Sequence, residues 1–452
     1  MTENGLIAGG DLDAAFATRA GEAISRRRFL ADSIALAERL PPGGAMLNLS
    51  SDRYRFAVGL AAALLRGQTS LLPPNHVADT VARLRARFPG MYALVERDSE
   101  GQGLPTVTHA DRDADAHRSD TIPQIDPDLV AAYVLTSGST GDPVPHAKPW
   151  GLLVSNARSE ARRLGEALGR ADLAGVSLVA TVPPQHMYGF ESSVLVALHG
   201  GAVLDASRPF FPADIAAALA RVPAPRVLVT TPFHLKAMLD AKLALPPLAL
   251  VLCATAPLAP QLAAEAETRL QAPLVEIYGC TEAGQVATRR TTAGAEWRTF
   301  DGIGLAGDGD AVTVSGGHVP QPTVLADVLE VTGSDTFRLL GRTHDLINVA
   351  GKRSSIGHLN FQLNSIDGVV DGAFWMPPDS SGDARGIVRL VAFVVAPGLS
   401  NAQIGAALRD RVDAAFLPRR IVRVAALPRE ATGKLTAARL AELAAQNGTV
   451  ER

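Results

Sequence analysis

Two rhythms of apolar positions alternate along the chain. Residues 28–40 carry Phe29, Leu30, Ile34, Ala37 and Leu40 at helical spacing, and Pro41-Pro42-Gly43-Gly44 then stops the helix. Residues 45–49 read as a strand, 56–66 as a second helix ended by Gly67, and 70–72 as a strand ended by Pro73-Pro74. The alternation resumes after residue 128. Short apolar strands are predicted at 129–135, 176–182, 202–204, 226–230 and 248–253, and helices at 151–169, 191–199, 214–221, 232–241 and 260–270. Strands and helices in turn predict βαβ units around parallel sheets. The polar residues 99–128 interrupt the pattern and read as a surface connection.

Beyond Gly294 the pieces become short, Gly- and Asp-rich and β-like. Gly341 and Arg342 open a new rhythm: strand 346–349, helix 356–366, strands 369–375 and 387–395, helix 402–415, strand 421–427. We therefore expect an α/β protein of two domains. A large N-terminal domain, 1–341, holds parallel-rich sheets and helices; a small α+β domain, 342–452, follows, with the boundary at 342–345.

Composition narrows the classes. With 452 residues, 47% hydrophobic and 20% charged, the chain can bury large cores. A net charge of −3 gives no general attraction to nucleic acid or acidic membranes, and Arg26-Arg27-Arg28 reads as a solvated helix face. The longest apolar run, 56–65, is too short to span a bilayer. Only two cysteines occur, Cys253 and Cys280, without metal-ligand spacing, and no signal-peptide pattern is evident. A reducing cytoplasm is expected.

Candidate chemistry begins at 135–148, LTSGSTGDPVPHAK. Strand 129–135 would deliver this loop at its C-terminal end, where open α/β sheets hold ligands. Gly138 and Gly141 let backbone N–H groups approach an anion, and Thr136, Ser137, Ser139 and Thr140 add hydroxyl donors. A triphosphate would suit this cradle. Taken alone, the stretch also reads as a Ser/Gly-rich surface turn, and it lacks the GxxxxGK[ST] spacing of the common nucleotide P-loop.

Further stretches follow in order: CATAPL at 253–258, EIYGCTE at 276–282, Asp327, GRTHDLINVAGKR at 341–353, and LPREATGKL with Lys434. Together they resemble the ordered motifs of the adenylate-forming superfamily: acyl- and aryl-CoA synthetases, luciferases and peptide-synthetase adenylation domains. The resemblance runs from about Leu36 to Arg439. It implies ATP and Mg²⁺ as cofactors and a mobile C-terminal domain. Ser137 to Gly141 would hold the β- and γ-phosphates, with Thr136 also among the ATP-binding residues. Thr255, Ala256 and Pro257 would pack on adenine, with Tyr278 and Gly279 also at the adenine site. Thr281 would contact the α-phosphate, Glu282 the Mg²⁺, Asp327 and Arg342 the ribose, and Arg353 the α-phosphate. Lys434 would bridge the attacking carboxylate and the α-phosphate, placing positive charge where two anions meet.

The chain departs from the family pattern at three places. Val144 stands where a lysine usually follows the loop's proline, so either Lys148 reaches back or His146 and backbone donors suffice. His344 occupies the hinge position, commonly Asp or Lys. The glutamate that often follows the GxR motif is missing from SSIGHLN.

The acid's place is read from PPQHMYGF at 183–190. His186 would sit at the carboxylate end, with Met187, Tyr188, Phe190, Phe233 and His234 giving an apolar, partly aromatic lining for an aryl or medium acyl group. The thiol acceptor would be CoA or the phosphopantetheine of an acyl carrier protein. The stretch DRYRFAVGLAAALLRG is similar to stand-alone ligases of aryl-polyene and xanthomonadin-like pigment pathways, which load carrier proteins, so carrier-protein loading is the expectation. A non-catalytic protein that holds nucleotide or acyl-adenylate is a third possibility, against which the retained Lys434, Asp327, Glu282 and Arg353 speak.

Overall fold

The alternating rhythm builds two sheets. A computed structural model describes residues 4–73, 75–97, 100–109, 120–137, 143–342, 346–349, 352–377, 390–429 and 435–448. The six-stranded sheet runs Thr106–Thr108, Tyr92–Val95, Met46–Asn48, Ser70–Leu72, Val130–Ser137, Pro143–Pro149, and only the last pair is antiparallel. The eleven-stranded sheet has a parallel centre: Leu274–Cys280, Leu250–Cys253, Arg226–Thr230, Ser177–Ala180, Val203–Asp205 and Ala15–Arg19. Glu22–Ser25 closes one edge antiparallel. Gly284–Arg289, Glu296–Thr299, Thr336–Arg342 and Asp327–Val331 extend the other, also antiparallel.

The helix Arg53–Leu65 joins the two halves of the core. Apart from Arg55 and Leu65 its residues are buried, which is how a helix apolar on all sides must sit. Asp52 caps it, accepting from Arg55 N–H at 2.9 Å, so it starts before residue 56. Gly59 permits the close approach: a Cβ there would collide with Leu94 and lie 2.6 Å from Asn48 Nδ2. Arg53 is fully buried, and its guanidinium donates to Ala180 O (2.9 Å), Val182 O (2.7 Å) and Ser193 Oγ (2.9 Å). It thereby pins the end of the strand Ser177–Ala180, where the segment 183–190 begins. Burial lowers its pKa to about 10, which leaves it charged at neutral pH.

Several elements differ from expectation. The region 99–128 contains a strand, Thr106–Thr108, at the sheet edge. The helix expected at 191–199 is continuous from Met187–Gly189 through a π-helical stretch, Phe190–Leu195, to Val196–Gly200. The pair Ala15–Arg19 and Glu22–Ser25, the helix Ala78–Arg87, the strand Tyr92–Val95 and the helix Ala437–Gln446 were not foreseen. Toward the C-terminus, Leu359, Leu363, Phe374, Val394, Ile404 and Leu408 share one apolar cluster under the strands Asp371–Trp375, Val391–Val395 and Arg420–Arg423. Ser355 Oγ, at the start of the helix Ile356–Asn364, donates to Leu340 O at 3.0 Å.

Candidate active site

The C-terminal ends of the parallel strands gather most of the predicted residues. Strand Val130–Ser137 delivers the phosphate-loop segment and Pro143–Pro149 returns from it, with Ser137 opposite Pro143. Gly138, Ser139, Thr140 and Gly141 lie outside the described residues, as do His344 and Lys434. Beyond strand Leu250–Cys253 the chain turns through Thr255, Ala256 and Pro257, all exposed. Thr255 has φ of +83°, a left-handed conformation that a β-branched residue rarely adopts. Strain of this kind persists only where the surroundings enforce it, and it gathers at ligand sites.

Strand Leu274–Cys280 supplies the next group. Tyr278 is buried against Trp297 (ring centroids 5.7 Å) and Phe337 (5.5 Å), and its hydroxyl donates to Asp327 Oδ2 at 2.7 Å. Asp327 opens an edge strand and faces Arg342 in register. Thus Tyr278, expected at adenine, and Asp327, expected at the ribose, are joined directly. Gly279 leaves no room for a side chain, since a Cβ would run into the Gly284 carbonyl. Arg353 lies on the strand Lys352–Ser355, opposite Asn348.

The turn after Cys280 exposes Glu282 and half-buries Thr281. Across from it stand His146 and Lys148, which alternate on one face of the returning strand. His146 Nε2 is 3.9 Å from Glu282 Oε1. Burial holds His146 below its ordinary pKa, reinforced by Lys148 and opposed by the Glu282 carboxylate. The Lys148 ammonium donates to Thr281 O, and to Glu282 O at 3.3 Å; the loop residues 138–142, which it was expected to serve, lie outside the described residues.

A polar layer that sequence reasoning missed lies beneath this turn. Glu160 and Glu191 are both buried. Asn156 Nδ2 donates to Glu191 Oε1, while Gln285 Nε2 donates to Glu160 Oε2 (2.9 Å) and to Ser192 Oγ (2.9 Å). Burial raises the Glu160 carboxyl to about 7 and pushes Glu191 well above the usual carboxylate range. The available signal was Glu191 itself, an acid inside the apolar run GFESSVLVAL.

Where the acid was expected, the residues separate. His186 is exposed at the end of 183–186, and desolvation by surrounding protein lowers its pKa. Met187 is half-buried against the N-terminal core. Phe233 is 39% exposed and packs edge-on to His234, whose Nδ1 lies 2.9 Å from Thr231 Oγ1. Phe190 is a correction: fully buried, it meets Phe56 edge-on at 6.5 Å and lines no open space. Tyr188 is another, since it is buried and its hydroxyl donates to Leu252 O at 2.9 Å.

Among the described residues, no three His, Cys, Asp or Glu side chains form a metal cage. Glu282 fits a different arrangement, in which Mg²⁺ is shared between one exposed carboxylate, nucleotide phosphates and water. No helix among the described residues is long and apolar enough to cross a membrane.

Comparison with known proteins bears on the family and the fold. A 4-coumarate–CoA ligase of Rhodobacter capsulatus is 31% identical over 283 residues, covering 63% of this chain and 68% of the ligase. The ATP-bound structure of MatB from Rhodopseudomonas palustris superposes with a TM-score of 0.79 at 18% identity, over 98% of this chain and 99% of that one. An anthranilate CoA ligase, AuaEII, in complex with anthranoyl-AMP gives 0.78 at 15% identity, over 97% and 95%. The AMP-binding enzyme family matches residues 57–323. This chain therefore belongs to the AMP-binding enzyme family, and its α/β fold is that of the adenylate-forming superfamily.

Proposed function

We propose that the protein activates an aryl or medium-chain carboxylic acid with ATP and passes the acyl group to a phosphopantetheine thiol. A carboxylate oxygen attacks the α-phosphorus, the bond to the β-phosphate breaks, and pyrophosphate leaves. The thiol sulfur, having given up its proton, then attacks the acyl carbon, and AMP leaves. The observation that carries this reading is the shared edge of Tyr278, Asp327, Thr281, Glu282 and the strained Thr255, beside the arms of the phosphate loop. Mg²⁺ at Glu282 would offset phosphate charge when bound.

Arg353 and Lys434 complete the constellation in this reading, with Lys434 on a C-terminal domain, 342–452, that turns about His344 between the two half-reactions. His186 and Phe233 would border the acid. A carrier protein is the acceptor suggested by the similarity to pigment-pathway ligases. Free CoA is the second reading, favoured by the likeness to a 4-coumarate–CoA ligase. Cytoplasmic placement belongs to the same proposal.

Carboxylate-dependent ATP–pyrophosphate exchange tests it, across hydroxybenzoates, cinnamates and C6 to C14 fatty acids. The account expects exchange with one acid class and its loss in Lys434→Ala. Thioester formation with CoA or a phosphopantetheinylated carrier then separates the acceptors. Folded protein that binds ATP but exchanges with no acid would leave the non-catalytic alternative standing.

A further inference from the structure

Resting on the adenylate-forming reading, we propose that Lys148 is a positioning residue: its ammonium shapes the Thr281–Glu282 turn for nucleotide by holding both backbone carbonyls, instead of binding phosphate itself. The family's phosphate-loop lysine position is taken here by Val144, so Lys148 is the nearest lysine after the loop. It lies on the strand Pro143–Pro149, opposite Ala132, and its side chain is buried. The strand belongs to the six-stranded sheet, whereas the turn it holds continues a strand of the eleven-stranded sheet. Lys148 therefore ties the arm returning from the phosphate loop to the turn that carries the expected metal carboxylate.

The turn is built to receive it. Ala283 N–H donates to Cys280 Sγ at 3.5 Å, closing the turn tightly. Gly284 has φ of +79°, and a Cβ there would sit 3.0 Å from Glu191 Oε1, so the buried acid backs the same turn. Two successive carbonyls bound to one cation are fixed in direction, while the Glu282 side chain stays exposed. A neutral side chain at 148 would leave both carbonyls without that donor, and the turn would lose its set orientation.

The alternative job, direct capture of the β- or γ-phosphate, makes a different prediction. AMP has neither group, so a phosphate ligand would matter to ATP alone; a residue that shapes the turn matters to both nucleotides. Calorimetric affinities for AMP and for Mg-ATP are measured for the wild type, Lys148→Met and Lys148→Arg, with no turnover needed. Positioning predicts that Lys148→Met weakens AMP and ATP by the same factor, about tenfold, the scale of one lost charge-assisted hydrogen bond. Lys148→Arg, which can still donate to both carbonyls, recovers most of the loss. Weakened ATP with unchanged AMP, or no change in either, overturns the proposal. Lys148→Gln, neutral but polar, carries the same outcomes where the Met variant does not fold. Wild-type protein that binds AMP yet shows no acid-dependent exchange would defeat the functional reading and leave this comparison intact.

Discussion

The residues expected at the nucleotide and those expected at the acid sit differently in the structure. At the nucleotide end, Tyr278 and Asp327 lie far apart in sequence and share a 2.7 Å hydrogen bond. Lys148 and Glu282 meet through a backbone carbonyl. At the acid end, Phe190 and Tyr188 belong to the core, Met187 is half-buried, and His186 and Phe233 are exposed. The difference is physical. Phosphate, ribose and metal demand particular groups at the ends of particular strands, so residue type carries the information. An apolar lining demands only apolar residues, as a core does, and which face turns inward is decided by packing. Here the π-helical stretch Phe190–Leu195 also changes the angular spacing of side chains, so an α-helical phase misplaces them.

The largest effect that sharpens this contrast is expected at Phe190. Phe190→Ala should destabilise the protein by about 3–5 kcal/mol, the range for truncating a fully buried aromatic, without changing which acid is preferred. Denaturant unfolding and an acid panel read the two quantities; a shift in preference with unchanged stability would return Phe190 to the pocket.

Glu160 gives the next effect, as a pH dependence. Its carboxyl is raised from 4.5 to about 7 by burial, so between these values the folded protein binds more protons than the unfolded chain. The stability it contributes is present below about pH 4.5 and is lost as pH rises toward 7. Glu160→Gln removes the titration, and its stability relative to wild type should rise across that window by on the order of 3 kcal/mol. Melting curves of both proteins from pH 5 to 8 measure it; parallel curves would contradict the buried, protonatable carboxyl.

Smaller effects separate the two ends again. Tyr278→Phe removes one hydrogen bond to a carboxylate, and the KM for ATP should rise about tenfold with the acid KM unchanged. Phe233→Ala should do the reverse, raising the acid KM while stability moves by less than about 1 kcal/mol. Equal effects of both variants on both substrates would erase the distinction between the ends.

The fold was legible where period and punctuation agreed. Pro260–Leu270 begins at a proline, and Arg226–Thr230 is apolar at its three central positions, Val227, Leu228 and Val229; both match their expected bounds. Short edge elements were not legible. Glu22–Ser25 and Thr106–Thr108 are partly exposed and carry little apolar signal, and their pairing comes from the neighbouring strand. Glu191 was visible as an acid in an apolar run, but its partners Asn156 and Lys148 are remote in sequence and come from other elements. Lys148 shows the same limit: 135–148 read as one loop, and only the fold shows a strand, Pro143–Pro149, from which Lys148 meets two carbonyls.

The central claim is that a carboxylate oxygen attacks the α-phosphorus of ATP. Incubation of the enzyme with ATP, thiol acceptor and an acid labelled with ¹⁸O in its carboxylate, followed by mass spectrometry of the products, tests that bond directly. The account predicts one labelled oxygen in AMP and none in pyrophosphate. Formation of ADP with label in inorganic phosphate would contradict it, because the acid would then have attacked the γ-phosphorus.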